Sequence, residues 1–148
     1  MRFSLLPVLA AILVLSACGE ARWAREFELD EKTFDAEAMK MVETDSGLKL
    51  PADSKGLNFR YKPPIDPSFV AKIEIPADSR EKLQKEIEAI KNESINSSGG
   101  LTTKVKWFAP PAGTILVERE CLKDGAHHLK VILSQEGGRY FLYVDHSV

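Results

Sequence analysis

Four side chains in the last third of the sequence, Cys121, His127, His128 and His146, are of the types that bind zinc. Zinc takes thiolate and imidazole ligands at about 2.0–2.3 Å, usually four of them in a tetrahedron. The four residues lie in different segments of the chain. Whether they can share a metal ion therefore depends on how those segments pair.

The pairing of these segments can be predicted from their turns. Four stretches alternate apolar and polar residues and are predicted to be strands: residues 103–108, 114–122, 127–134 and 140–146. Between the last two, Gly137-Gly138 is a favourable two-residue hairpin loop. This loop pairs Leu129 with His146 and makes the apolar faces of both strands coincide.

The preceding turn, residues 124–126, allows two registers. A three-residue loop there pairs Cys121 with Leu129 and puts both on the apolar face. A register shifted by one residue would put Glu118 and Glu120 on that face instead. We prefer the first register, because it keeps the glutamates out of the core.

This register argues against a metal centre. Cys121 and His146 flank Leu129, so two strand spacings of about 4.8 Å separate them by about 10 Å. His127 is a diagonal neighbour of His146, but two ligands make a weak site. We expect surface or rim histidines, no bound metal and no cofactor.

The best candidate binding surface is the stretch from Lys104 to Gly113, which contains Trp107, Phe108 and two adjacent prolines. In a strand Trp107 and Phe108 would point to opposite faces, so one would be core and the other exposed. The pattern does not decide which. The alternative is an edge strand with one packed aromatic residue.

Motifs for catalysis are absent from the sequence. It has no G-x-S-x-G turn, no H-E-x-x-H helix and no P-loop. Its acidic pairs have no defined separation, which leaves a glycosidase without support. We therefore predict no catalytic residue.

The middle of the chain predicts two helices and two further strands. Residues 34–46 have apolar residues at helical spacing and end at Gly47; Leu48 beyond it is a hydrophobic contact for the cap. A second helix should run from a cap at Asp78 or Ser79 to about Lys91, burying a stripe of leucine and isoleucine. Residues 57–61 and 69–75 are predicted strands, joined by a proline-rich connection.

The N-terminus begins Met1-Arg2 and continues as an apolar run from Phe3 to Leu15. Its length is typical of a signal peptide and too short for a membrane-spanning helix. The run closes with Leu15-Ser16-Ala17-Cys18, which resembles the lipobox of bacterial lipoproteins at all four positions. The match covers only the first eighteen residues, and the rest of the chain resembles no family that we recognise.

The resemblance implies cleavage before Cys18 and a diacylglyceryl group on its sulfur. Two or three acyl chains would hold the protein on a membrane almost permanently. In that family an aspartate after the cysteine usually retains the protein at the inner membrane. Gly19 follows here, which implies a location in the cell envelope on the outer membrane, facing the periplasm, if the organism has one.

Charge and cysteine content restrict the partners. The 148 residues carry a net charge of −2, and losing residues 1–17 with Arg2 makes it −3. Because the charges are mixed and form no basic block, nucleic acid is an improbable partner. With Cys18 lipidated, Cys121 has no partner for an internal disulfide, and we expect it to be a buried free thiol.

We divide the chain into a signal peptide (1–17), a lipidated Cys18 with a charged tether (18–33) and one domain (34–148). An alternative for the tether is that Trp23 and Phe27 begin a helix packing on the domain. The domain is predicted to be a two-layer α+β fold. It should have a largely antiparallel sheet of four to six strands, two helices on one face and a C-terminal β-meander.

The anchor and the missing catalytic motifs favour a non-enzymatic envelope lipoprotein that binds a protein or cell-wall component. A more specific version is an inhibitor or immunity protein against an envelope-acting enzyme. The opposing class is a small hydrolase whose site cannot be recognised from residue spacing.

Overall fold

The structure, a computed structural model, describes residues 21–63, 65–95 and 105–148. Within these ranges the chain forms β1 (Phe27–Leu29), α1 (Ala36–Ser46), β2 (Lys55–Lys62), β3 (Ser68–Ile75), α2 (Arg80–Glu88), β4 (Ile115–Lys123), β5 (His127–Glu136) and β6 (Arg139–Ser147). The strands form one antiparallel sheet in the order β1-β2-β3-β6-β5-β4. The predicted α+β class and the antiparallel sheet of four to six strands are confirmed. The signal segment, the lipobox and residues 103–104 lie outside the described residues.

Among the residues that the structure describes, no helix has the length and apolar character needed to span a membrane.

Both C-terminal turns have the predicted register. Leu129 pairs with His146 across the Gly137-Gly138 loop, and Cys121 pairs with Leu129 across the three-residue turn. Gly137 and Gly138 have φ of 57° and 80°, which glycine adopts without the strain a Cβ would add. Local turn chemistry and the apolar pattern therefore specify the same pairing.

Helix α1 begins and ends where its sequence indicates. The Asp35 side chain accepts a hydrogen bond of 3.0 Å from the Ala38 N–H and caps the N-terminus. Gly47 ends the helix in the left-handed conformation, with φ of 74° and its N–H donating to the Glu43 carbonyl at 2.9 Å. Leu48 is buried next to this cap, as predicted.

Helix α2 has Ser79 at its N-cap position, as predicted, but it lacks the expected side-chain cap and ends early. A short 3₁₀ turn, Ala77–Ser79, precedes it, and the helix ends at Glu88, short of Lys91. Ser79 makes no side-chain cap, because its backbone is already helical, with φ of −97° and ψ of −6°, whereas a cap residue needs an extended backbone. Leu83 and Ile87 are buried as expected.

Apolar side chains cover both faces of the central strands. The larger cluster combines residues of both helices, such as Val42 and Leu83, with residues of strands β2 to β6. A smaller cluster lies on the opposite side: Val70, Val105, Phe108, Ile132, Phe141 and Tyr143, with Leu57 and Trp107 partly buried against it. Because strand residues alternate between faces, two clusters leave β6 buried from Phe141 to His146.

The described part of the predicted strand 103–108 is a turn. The Phe108 N–H donates to the Val105 carbonyl at 3.4 Å, and residues 105–108 belong to no strand. Trp107 and Phe108 consequently do not lie on opposite faces. Both pack against the smaller cluster, Phe108 9% exposed and Trp107 half-buried.

The stretch assigned to a tether packs on the sheet instead of extending from it. Phe27–Leu29 forms the edge strand β1, paired with β2. The Trp23 ring meets the Tyr61 ring edge-on at 5.0 Å, and its Nε1 donates to Glu37 at 3.0 Å. The folded part of the chain therefore reaches back to at least Arg22, and residues 23–33 form neither a free tether nor a helix.

The other edge of the sheet, β4, is covered by the segment after α2. The Glu93 N–H donates to the Glu120 carbonyl at 2.7 Å, and the Glu120 N–H donates to Asn92 Oδ1 at 3.1 Å. Glu93 also accepts from the Leu122 N–H at 3.0 Å. Backbone groups that would otherwise form an open strand edge are thus occupied within the chain.

The predicted burial of Cys121 can be tested by thiol labelling. The side chain is 8% exposed, and burial raises the pKa of its thiol, which leaves little reactive thiolate. In a chain beginning at Gly19, whose single cysteine is Cys121, a thiol reagent should react at least ~10²-fold more slowly in native buffer than in denaturant, because core strands open rarely. Rapid stoichiometric labelling of the folded protein would contradict the observed register.

Candidate functional site

The end of the sheet near the β2–β3 connection carries a row of aromatic and polar side chains next to the larger cluster. Cross-strand pairing sets the row: Tyr61 on β2 pairs with Phe69 on β3, and Phe69 pairs with His146 on β6. The Phe69 and His146 rings stack with centroids 5.5 Å apart. His146 is consequently held flat against an aromatic ring and is 4% exposed.

Helix α1 and the start of β5 complete this group. Asp45, in the last turn of α1, has Oδ2 at 3.8 Å from His146 Nδ1. The His127 ring meets the His146 ring edge-on, with centroids 5.8 Å apart. Together they enclose a cavity of about 260 Å³, here called the histidine pocket, lined by Met41, Asp45, Tyr61, Pro67, Phe69, His127, His146 and Val148.

Burial controls the charge state of the pocket. Burial lowers the pKa of His146 below its ordinary value, although the Asp45 carboxylate opposes this, so the imidazole is neutral at pH 7. Burial raises the pKa of Tyr61, and the negative charge of Asp45 raises it further. At neutral pH the pocket thus presents a neutral imidazole and an un-ionised phenol on walls that are otherwise mostly apolar.

Of the four residues considered as metal ligands, Cys121 and His146 are separated as predicted, but the expectation of surface or rim histidines was wrong for His146, which is buried. Leu129 lies between Cys121 and His146 in the sheet. His128 is on the opposite face, where its Nε2 lies 2.7 Å from a Glu120 oxygen. Only His127 and His146 come together, and the described residues contain no cluster of three or more His, Cys, Asp or Glu side chains able to hold a metal ion.

The predicted binding residues Trp107 and Phe108 lie apart from this pocket, on the other face of the sheet. The Phe108 ring packs edge-on against Tyr143 at 5.5 Å, as a core residue would. Trp107, 6.2 Å from Phe108 between ring centroids, is the more accessible of the two. Trp107 is therefore the better candidate for a contact at this position.

The same face holds a buried acidic residue, Asp145, which the sequence analysis considered only as part of an acidic pair without a defined separation. Asp145 is 4% exposed and pairs with Lys130 on one side and Val70 on the other. Burial raises the pKa of Asp145 to about 6, and Glu120 adds to this, while His128 and Lys130 oppose it. The sequence signal for this burial is weak: Asp145 directly follows the aromatic and apolar run 140–144 of β6.

The comparisons with known proteins add no relative. No family model, curated protein or solved structure matches the chain. The site must therefore be interpreted from its own geometry.

The state of Asp145 gives a pH-dependent prediction. The pKa of the Asp145 carboxyl is about 6 in the folded protein and 3.8 in the unfolded chain, so the folded protein holds the proton more tightly. The contribution of Asp145 to the free energy of unfolding is therefore most favourable at low pH and is lost as the pH rises through 6. A difference of about two pKa units corresponds to ~3 kcal/mol. Asp145→Asn should raise the free energy of unfolding by up to ~3 kcal/mol at pH 7.5 and by under ~1 kcal/mol at pH 4, as measured by urea denaturation.

Glu136, on the same face, supplies the control. Burial tends to raise its pKa, but hydrogen bonds from Tyr143 at 2.6 Å and Ser134 at 2.7 Å, with Lys72 nearby, hold the pKa below the ordinary value. Glu136→Gln should therefore destabilise the protein at pH 7.5, with a smaller effect at low pH. An equal stability change at both pH values for Asp145→Asn would contradict the assigned charge state.

Proposed function

We propose that this chain is a lipid-anchored protein of the bacterial cell envelope that binds a protein or cell-wall component through the histidine pocket. The anchor rests on the lipobox ending at Cys18 and would attach the protein to the outer membrane, facing the periplasm, where one exists. The binding role rests on the pocket itself, whose buried imidazole lies between an aromatic ring and a carboxylate.

The size of the pocket favours binding of a substituent over binding of a whole small molecule. Pockets that enclose complete ligands usually measure ~300–1,000 Å³, and this one is about 260 Å³. A single side chain or sugar substituent of a larger partner fits such a volume. Partners of that kind are what an envelope protein meets, namely other proteins and the cell wall.

The form of the fold is part of this proposal. We infer a two-layer domain with both helices on one face and a C-terminal meander of β4, β5 and β6. The support is that buried residues of α1 and α2 join one cluster with the same side of the sheet, and that β4, β5 and β6 pair consecutively. In this arrangement α1 forms one wall of the pocket and the sheet forms its floor.

A second candidate function, a hydrolase, is supported by the His127–His146 pair beside Asp45. Two histidines and a carboxylate are suited to general acid–base catalysis. Among the described residues that line the pocket there is no serine, threonine, cysteine or lysine, so a nucleophile would have to be Asp45, Tyr61, one of the histidines or activated water. No contact in the pocket sets one of these groups up for attack on a substrate, and binding is the preferred function. An inhibitor or immunity protein is one form that such binding could take.

The anchor is tested by replacing Cys18. Cys18→Ser should abolish acylation completely, because the modified atom is the cysteine sulfur, and leave an uncleaved or mislocalised precursor. Intact-mass measurement and membrane fractionation provide the readout. Cys121→Ser is the matched control and should be processed normally. Wild-type protein recovered cleaved but free of lipid would refute the anchor.

The pocket is tested by blocking its rim. Val148 lines the pocket and is 45% exposed, so Val148→Trp should fill the cavity with little effect on the melting temperature. Capture of a partner by photo-cross-linking in intact cells should fall ~10-fold or more, because filling the cavity removes a central contact. Ile115→Trp, at an exposed site that does not line the pocket, is the matched control and should leave capture unchanged.

Trp107→Ala distinguishes this pocket from the surface predicted at Trp107 and Phe108. If Trp107→Ala abolishes capture in a folded protein while Val148→Trp does not, the partner binds the opposite face. That result would contradict the pocket and support the aromatic corner.

A further inference from the structure

We propose that the group entering the histidine pocket is a basic side chain, lysine or arginine, of a protein partner. Its alkyl stem would pack on the apolar walls, and its cation would lie beside the Asp45 carboxylate. This inference rests on the proposed function and adds to it the chemistry of the bound group.

The charge of the pocket favours a cationic ligand. Among the described residues that line it, Asp45 is the only aspartate, glutamate, lysine or arginine. In the described part of the chain the only ion-pair contact of its carboxylate is with His146 Nδ1 at 3.8 Å, and burial keeps that imidazole neutral. The Asp45 side chain is 34% exposed. Its negative charge is therefore accessible and is not matched by a cation of the pocket lining.

Lys123 lies near this carboxylate but is bound to the end of the helix instead. Its charge contributes to lowering the pKa of His146. Its Nζ donates to the backbone carbonyl of Asp45 at 2.9 Å and to that of Thr44 at 3.4 Å. These carbonyls form the negative end of the α1 dipole. Lys123 thus satisfies main-chain acceptors and leaves the side-chain oxygens of Asp45 facing the pocket.

The position of Asp45 is unfavourable for helix stability. The last turn of α1 contains no basic residue, and a carboxylate at the C-terminal end of a helix opposes the helix dipole. Glu43, in the same turn, has a structural contact, because its Oε1 accepts from the Leu50 N–H at 2.9 Å. Among the described residues the Asp45 carboxylate accepts no such backbone hydrogen bond. A residue retained at a cost in stability is typical of a binding site.

The remaining lining suits the rest of a basic side chain. Met41, Pro67 and Phe69 provide apolar wall, on which the methylene stem of lysine or arginine packs while the charged head stays near water. The un-ionised Tyr61 hydroxyl and the neutral His146 imidazole supply hydrogen-bond acceptors without a positive charge. An alkyl chain that ends in several N–H donors matches this combination.

Asp45 lies where the histidine pocket meets a second cavity of about 300 Å³. The second cavity is lined by Trp23, Glu37, Lys40, Met41, Thr44 and Asp45, so the two cavities share Met41 and Asp45. A protein segment that crosses the second cavity along α1 can place one side chain in the histidine pocket. Its cation would then lie at the half-exposed boundary, where it avoids the full desolvation penalty of the pocket interior.

The same lining disfavours a diamino acid of a cell-wall peptide whose free amine has a carboxylate beside it. No lysine or arginine lines the histidine pocket among the described residues. The second carboxylate would consequently approach Asp45 without a counter-charge. The basic side chain of a protein brings a cation alone.

The direct test is a titration of the full, acylated chain in detergent micelles, with isotopically labelled methionine methyl groups followed by NMR. Met41 lines the pocket, and Met39, which packs against the larger cluster, is the internal reference. The probes are lysine, arginine and norleucine, each blocked at the α-amine and the α-carboxyl. We expect the lysine or the arginine probe to shift the Met41 signal with a Kd at least ~5-fold lower than that of norleucine. This preference should shrink at high ionic strength.

Two results of this titration would overturn the proposal. One is equal affinity for the norleucine probe, which would show that the pocket selects apolar bulk and not charge. The other is tighter binding of meso-diaminopimelate than of blocked lysine, because the partner would then be a cell-wall peptide.

Asp45→Asn tests the assigned residue, with Asp53→Asn as the matched control. Asp53 is exposed and does not line the histidine pocket, so the control makes the same change of net charge elsewhere. Asp45→Asn should reduce the preference over norleucine to less than about twofold. Its melting temperature should be unchanged or raised by up to ~4 °C, because a charge that opposes the helix dipole is removed. A preference that survives Asp45→Asn would contradict the proposal.

Capture by photo-cross-linking in intact cells separates this inference from the proposed function. Loss of capture in both Val148→Trp and Asp45→Asn, with normal capture in Asp53→Asn, supports both. Loss in Val148→Trp alone overturns the cation and leaves the pocket as the binding site. Normal capture in Val148→Trp overturns the pocket itself, and the inference with it.

Discussion

The register of β6 between β3 and β5 is the constraint on which the rest of the structure depends. β6 is paired along its length with both neighbours, and its residues from Phe141 to His146 are buried whichever face they point to. A slip of one residue would exchange the two faces, moving Asp145 into the larger core and His146 out of the pocket. The Gly137-Gly138 turn fixes the register locally.

Asp145 and His146 are neighbours in sequence but have opposite surroundings, and burial pushes each towards its neutral form. The pKa of the aspartate is raised and that of the histidine is lowered. Because burial raises the pKa of Asp145, its ionisation reduces stability at neutral pH; because burial lowers the pKa of His146, its protonation reduces stability at acidic pH. The buried Asp145 and His146 thus lower the free energy of unfolding, and the apolar packing around them offsets this loss.

What could be predicted from the sequence was local. The Gly47 stop of α1, both C-terminal turns and the burial of Cys121 each follow from a few adjacent residues. The prediction of a strand over 103–108 was wrong at its described residues, 105–108, because alternation suggested a strand, whereas contacts with the smaller cluster favour a turn that buries Phe108 and half-buries Trp107. Ser79 takes the predicted N-cap position of α2, but its side chain makes no cap hydrogen bond because the preceding 3₁₀ turn leaves its backbone helical.

The pocket could not be predicted because its parts are distant in the chain. Asp45 lies about a hundred residues before His146, and only the docking of α1 on the sheet brings them together. β1 was missed for a similar reason. Its three residues are too few to show a periodic pattern, and they form a strand by pairing with β2, which is distant in the chain. The spacing of Trp23 and Phe27 could be seen in the sequence, but their packing against Tyr61 could not.

The covered edge of β4 has a consequence for neighbouring molecules. Lipid-anchored copies of a protein diffuse in a plane, where crowding makes encounters between identical chains frequent. An open β4 edge would give each encounter a template for intermolecular strand pairing. Asn92 and Glu93 occupy that half of the edge through their hydrogen bonds with the backbone of Glu120 and Leu122. Under the proposed lipid anchor, this would allow many copies to share a membrane without joining their sheets.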